Sequence, residues 1–390
     1  MAYEHRHGYG HRYVNGFICA AALLALAACG DDTDFAGTPD AGAADSAPAP
    51  DAGPSGVPAL GGGSHALSSL KVEVVADSKD GLNSPTDVAL HPLREDELWI
   101  TSQADDAMVV IFAVGRVARK AGKAKTPSGQ HFLANPSGLA FNTKDGMFAT
   151  IHEEDQLTQA STPTDFMGPT LWSSNLTIFD GGHAGHMDML HNTPNGMGIA
   201  WEKDNAYWVF DGAHSSLTRY DFQMSHGPGG ADHTDGVVRR YAEGKVKRVA
   251  GVPAHMELDH KAGLLYVADT GNRRVAVLKI GTGKVGADIY PNYDGSSQKK
   301  VDGATISTLV DAKAGLQRPS GLALHKGVLY VGDNGSGRVH AFDPESGKQL
   351  DYLDTKLPAG ALRGITFDAA GRLYLVDGKG QRVLRLSPKK

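Results

Sequence analysis

The feature that most limits what this chain can become is a phrase it keeps repeating. A turn marked by Pro or Gly leads to a short apolar strand, a Gly-bearing turn, and a second apolar strand ending in a polar residue. A third strand follows. The phrase occurs six times between residues 85 and 386. Its clearest copy runs Pro253-Ala-His-Met-Glu-Leu-Asp, then Gly263-Leu-Leu-Tyr-Val-Ala-Asp269, then Thr-Gly-Asn-Arg-Arg-Val275. The second strands end at 102, 152, 211, 269, 333 and 377, a spacing of 44 to 64 residues. Short β-branched and aromatic runs bounded by Gly, Pro and Asp read as strands, and no stretch sustains a helical period. Repetition at this period marks a stacked or radial β architecture.

Three or four strands per copy suit the blade of a propeller, whose sheets radiate from a central channel. The run Leu70-Lys-Val-Glu-Val-Val75 precedes the first copy, and the last copy stops after its third strand. The expected fold is therefore an all-β, six-bladed propeller in which the N-terminal strand completes the last blade. Closure of that kind removes sheet edges that would recruit other chains.

Leu265-Tyr-Val-Ala-Asp-Thr-Gly-Asn-Arg-Arg-Val275 and Leu329-Tyr-Val-Gly-Asp-Asn-Gly-Ser-Gly-Arg-Val339 resemble the NHL repeat. The resemblance covers about four-fifths of the chain and implies the propeller fold. It does not imply one activity, because a propeller hosts enzymes, receptors and binding platforms alike. Within the blades, Asp211, Asp269, Asp333 and Asp377 are expected to hold turns, with Arg274, Arg338 and Arg382 as partners.

The N-terminus has a different chemistry. Residues 1–28 carry Arg6 and Arg12 ahead of the apolar run Phe17–Ala28, which suits the core of a signal peptide better than a membrane span. Leu26-Ala-Ala-Cys29 resembles a bacterial lipobox, which implies cleavage before Cys29 and lipidation of its thiol. An ordinary secretory signal containing a Cys is the alternative. Gly30 departs from the Asp that retains many such lipoproteins at the inner membrane, which favours the outer membrane. Residues 29–69 are rich in Ala, Gly, Pro, Ser and Asp and read as a tether. Such a segment cannot bury enough apolar surface to fold, and its flexible chain spans on the order of 35 Å. The propeller is then expected over 70–390.

The tether also accounts for the charge. The chain has 38 basic and 44 acidic residues, a net charge of −6. Removing Arg6, Arg12, Glu4 and the six tether Asp leaves 36 basic and 37 acidic residues. A near-neutral propeller lacks the basic stripe that nucleic-acid binding needs. Both cysteines lie in the front end, so the propeller has no disulfide. At more than 300 residues it can build a sufficient core without one.

Function is expected where the copies differ. Eight of the 17 histidines fall between 183 and 260, and imidazole is the usual borderline metal ligand and near-neutral acid–base group. First and second strands run antiparallel, so the start of one and the end of the other share a face. His255 begins the first strand of blade four, where other blades carry Asp87, Gly138, Gly321 and Arg363. His152 ends a second strand, His214 lies just past Asp211, and His191 lies in the loop entering blade three. These four are expected to ring one channel mouth and hold zinc or copper, with Glu153 and Glu154 nearby. Asp87, Glu154 and Arg363 are the candidate ligand-binding residues there.

Two further patterns stand in the same region. His183-Ala-Gly-His186, with His191, could chelate a metal by itself. The insertion His226–Gly236 offers Asp232 and Asp235 but lacks the ligand alternation of a calcium loop.

Among six-bladed NHL-type propellers, the peptidyl-hydroxyglycine amidating lyase is the enzymatic precedent. Its resemblance implies zinc on His residues following Pro at the starts of first strands. Pro253-Ala-His255 is similar in one blade only. No nucleophile elbow, phosphate loop or haem motif is present.

The reading favoured is a lipid-anchored propeller that binds an extracytoplasmic protein, a glycan or a small-molecule ligand. The insertions at 153–173, 223–236 and 286–302 would supply specificity through Met167, Trp172, Tyr290 and Tyr293. The alternative is a metal-dependent lyase or hydrolase using His152, His214 and His255. The membrane is the other expected partner, through Cys29, and the propeller is expected to be a monomer.

Overall fold

A computed structural model describes residues 56–124, 130–157, 166–180 and 185–389. The signal segment, Cys29 and most of the tether lie outside them, as does His183.

Six sheets form the body. Blade one contains Pro85–Leu90, Leu98–Ser102, Ala107–Phe112 and Lys120–Ala124. Blade two contains Pro136–Phe141, Phe148–His152, Thr170–Trp172 and His186–Met189. Blade three begins with Gly196–Lys203, Ala206–Asp211, Ser216–Asp221 and Val237–Tyr241, and blade four has Met256–Asp259, Leu264–Asp269, Arg274–Lys279 and Ile306–Val310. Blade five runs from Pro319–His325 to Gln349–Asp354, and blade six holds Leu362–Phe367, Leu373–Asp377 and Arg382–Pro388. The N-terminal strand Leu70–Ala76 pairs antiparallel with Arg382–Pro388, Val72 opposite Leu386, and closes the ring.

Strand periodicity explains how the sheets stack. Successive side chains of a strand point to opposite faces, and in a blade both faces meet a neighbour. Leu98 and Ile100 enter the cluster shared with Tyr374 and Val376 of blade six. Trp99, between them, enters the cluster shared with Phe141, Phe148 and Trp172 of blade two. The same sorting yields one apolar cluster at each of the six interfaces. Each fully buried large side chain contributes about 1.5–3 kcal/mol, so the wheel is held chiefly between blades.

Hydroxyls at the starts of first strands, and one just past the end of a second strand, add polar links. Thr86 Oγ1 donates to the Pro136 carbonyl at 2.8 Å, and Ser137 Oγ to Gly196 at 2.7 Å. Thr270 Oγ1 donates to Pro319 at 2.7 Å. At the seam between blades six and one, Arg363 Nη1 takes over this task, donating to Pro85 O at 3.0 Å and Ser84 Oγ at 3.1 Å.

The repeated aspartates are turn anchors. Asp269 accepts from Lys247 N, Asn272 Nδ2 and Arg274 Nε, and Asp377 from Gly380 N and Arg382 Nε. Asp333 instead accepts from Ser336 Oγ and three backbone amides, while Arg338 lies over the Tyr352 ring at 5.0 Å.

Two segments differ from the sequence expectation. Residues 286–302, read as an insertion supplying specificity, fall within the hairpin Lys284–Asp288 and Ser297–Asp302, whose second strand pairs parallel with Val237–Tyr241. Blade three thereby gains two strands. Residues 56–69 pack on the body: Leu60 is buried between blades five and six, and Val57 N donates to Asp351 Oδ2 at 2.8 Å. The short apolar run Val57-Pro-Ala-Leu60 was hidden by its low-complexity surroundings.

Candidate functional site

The first strands of all six blades line a central channel of about 280 Å³. Asp87 and His255 face each other within it, His255 Nδ1 standing 3.5 Å from Asp87 Oδ1. Asp87 also accepts from Val88 N at 2.8 Å and, across to blade two, from Leu139 N at 3.0 Å. Burial raises the Asp87 carboxyl, opposed by His255 and these two amides. His255 Nε2 stands 3.3 Å from Ser137 O. Glu257, one step along the same face, is pushed up to about 8 by burial and by the Asp87 charge.

The four histidines expected at the mouth do not form a ligand set. His152 is fully buried: Nδ1 donates to Gly168 O at 2.8 Å, and Nε2 accepts from Thr150 Oγ1 at 3.0 Å. Both nitrogens are engaged, and burial lowers the imidazole to about 4. Residues 150 and 152 share a strand face, so the ring turns into the blade instead of the channel. His214 donates to Asp211 Oδ2 at 2.8 Å, completing the turn anchor of blade three. His191 donates to Asp294 Oδ1 at 2.6 Å and docks the added hairpin. The site proposed for lyase or hydrolase chemistry on His152, His214 and His255 has no shared metal position.

The ligand-binding candidates are likewise structural in part. Glu154 accepts from Asp155 N at 2.8 Å and Asn135 Nδ2 at 3.4 Å. Arg363 closes the ring seam. Glu153 instead accepts from Gly251 N at 2.8 Å and Arg248 Nη1 at 3.1 Å.

A metal-capable group does form elsewhere. His186, His226 and His233 offer ligand atoms within 4.8 Å of one another, and they are the group of three or more such donors among the described residues. His186 opens the outer strand of blade two. His226 and His233 come from the insertion between the third and fourth strands of blade three. Gly229 N donates to His186 O at 2.9 Å, tying that insertion to blade two.

The ring tautomers are fixed by protein partners. His233 Nδ1 donates to Asp188 Oδ1 at 2.8 Å, and His226 Nδ1 to Gly227 O at 2.6 Å. Each leaves Nε2 as the lone-pair nitrogen. Nε2 of His226 is buried with no hydrogen-bond partner, as is Oδ2 of Asp188. Burial raises the Asp188 carboxyl, opposed by His233 and His226.

These histidines stand out in the sequence by number, but no local pattern joins the three. The usable signal was His186-Met-Asp188 on a strand, together with two histidines bracketing a Gly-rich insertion. Of the trio His183, His186 and His191, His191 is engaged with Asp294, and His183 lies outside the described residues. Asp232 and Asp235 are also spoken for, accepting from Thr234 and from Met224 N.

Met167, Tyr290 and Tyr293 meet His214, Asn192 and Arg240 around a surface groove of about 430 Å³. Trp172 does not join them; it is buried between blades one and two.

No protein-family model and no curated protein matches the chain. Solved structures do. An auxiliary nutrient binding protein from Bacteroides thetaiotaomicron VPI-5482 aligns at TM-score 0.53 and 9% identity, over 82% of this chain and 76% of that one. A second, from Bacteroides ovatus ATCC 8483, gives 0.52 and 14%, over 82% and 74%. Virginiamycin B lyase from Staphylococcus aureus gives 0.50 and 12%, over 82% and 99%. At such identities the likeness shows the fold alone. The chain is a six-bladed β-propeller. Among its described residues, no helix is long and apolar enough to cross a membrane.

Proposed function

We propose that this propeller is an exported, lipid-anchored ligand-binding protein carrying a metal centre on His186, His226 and His233. The observation that carries the reading is the orientation of the cluster. Two imidazoles have Nδ1 satisfied, leaving Nε2 as donor, and a buried carboxylate supports one of them from behind. Carboxylate-to-imidazole support of this kind raises ligand basicity and fixes the ring.

Three imidazoles suit zinc or copper over magnesium or calcium, which take oxygen donors. With Asp188 oriented toward His233, the protein supplies three ligands, and a fourth position is left for an exchangeable donor from water or ligand. Among the neighbours in fold, two carry the name nutrient binding and one the name lyase; the binding reading rests on the cluster itself.

Anchoring rests on the lipobox-like Leu26-Ala-Ala-Cys29, with the outer membrane favoured by Gly30. The protein is proposed to act as a monomer on an extracytoplasmic protein or small molecule.

Metal analysis of protein purified from zinc-supplemented cells tests the centre. About one zinc per chain is expected, lost in His226→Ala and His233→Ala while His214→Ala retains it. Metal-free wild-type protein that also fails to take up zinc or copper in titration would remove the centre. For the anchor, Cys29→Ser is expected to move the protein from the membrane to the soluble fraction; continued membrane association would overturn lipidation at that residue.

A further inference from the structure

The central channel is a second site, independent of the metal cluster. Its wider part is lined by residues at the ends of the first strands, among them Phe141, Trp201 and Phe367. At its inner end the strands crowd together: a Cβ on Gly364 would lie 2.6 Å from Asp87 Oδ1, and one on Gly138 3.3 Å from the Gly198 Cα. The space is thus a funnel with aromatic walls and a floor made by Asp87, His255 and Glu257.

The charges on that floor do not cancel. Among the described residues, no Lys or Arg lines the channel. Asp87 has His255 and two backbone amides as partners. Glu257 has none of these; the groups acting on it are the surrounding desolvation and the Asp87 charge. Glu257 is half-buried at the channel lining, and a carboxylate partly withdrawn from water is costly unless a cation meets it.

The geometry also selects the kind of cation. Donor atoms of Asp87, His255 and Glu257 do not converge as a three-ligand group, so one compact metal ion cannot use them together. A larger ion with its charge near Glu257 and its apolar body against the rings suits the space, since aromatic faces attract organic cations.

We propose that the channel binds a small organic monocation, an alkyl- or arylammonium compound, with Glu257 as its counter-ion and Trp201 and Phe367 as its apolar contacts. Because a single uncompensated carboxylate faces the cavity, a singly charged ligand is favoured over a dication or an anion.

Choline and its uncharged analogue 3,3-dimethylbutan-1-ol probe this directly, by calorimetry on the full propeller at pH 9, where Glu257 is ionised. Choline is expected to bind at least about tenfold more tightly than the alcohol. Glu257→Gln should erase the preference, bringing the two within about threefold, while Trp201→Ala weakens both. Circular dichroism confirms that each variant is folded. Equal binding of the two probes, no binding of either, or an unchanged preference in Glu257→Gln would overturn the proposal. Repeating the measurement in His226→Ala separates the readings: a preference that survives loss of the metal cluster leaves the channel site standing alone.

Discussion

His233 donates through Nδ1 to Asp188 Oδ1 at 2.8 Å, across the interface between an insertion of blade three and the outer strand of blade two. The pair fixes the ring so that Nε2 faces the space shared with His186 and His226. Without an ion, Asp188 keeps a buried oxygen with no partner. An ion on the three imidazoles would supply the positive charge that this carboxylate lacks.

Asp188→Asn tests that relationship. The amide keeps the size of the side chain but removes the charge that holds His233. Zinc affinity is expected to fall about 10–100-fold, the usual cost of losing such support, with thermal stability of the metal-free protein unchanged or raised. Competition titration against a chromophoric chelator reads the affinity. Unaltered affinity would mean that the carboxylate does not orient the ligand.

Acid should destabilise the propeller through its buried histidines. Burial lowers His152, His91 and His340 each to about 4, against 6.5 for a free imidazole. Between those values the unfolded chain binds protons that the folded one refuses. The stability from these rings is therefore whole above about 6.5 and is lost as pH falls through about 4. Urea midpoints measured from pH 7 to pH 4 should drop steadily. His152→Gln should be less stable at pH 7 yet show a shallower decline, and parallel declines would acquit His152.

Thr86 links blades one and two. Its hydroxyl lies 2.6 Å from Thr101 Oγ1 and donates to Pro136 O at 2.8 Å, all in a buried setting. Thr86→Val preserves the shape but removes the donor to the buried Pro136 carbonyl, at a cost of about 1–3 kcal/mol, while Thr101 Oγ1 keeps the Asp87 amide at 2.7 Å. Denaturant unfolding checks this. The loss should be larger in the double variant Thr86→Val/Thr101→Val, which also takes the acceptor away from the buried amides of Asp87 and Thr86.

The sequence by itself determined the wheel. Pro- and Gly-marked turns, the two-residue alternation of apolar side chains and the leftover strand at 70–75 are local signals. Each names its own strand, and six copies with one strand missing leave one economical closure. Asp269 and Asp377 were legible as turn anchors for the same reason, since their arginines stand only five residues away.

Tertiary structure alone decided where the chemistry gathers. His186 meets His226 and His233 only because an insertion folds back over the neighbouring blade, and insertions carry no repeat to set their register. The hairpin at 284–302 joined blade three because that blade offered an open outer edge, Val237–Tyr241, to its backbone. His152 went the other way: strand position suggested the channel mouth, but the Gly168 carbonyl and Thr150 hydroxyl held its ring inside the blade. Contacts set by neighbours along the chain can be read from its order. Contacts between loops distant in sequence depend on the packing around them, which that order does not record residue by residue.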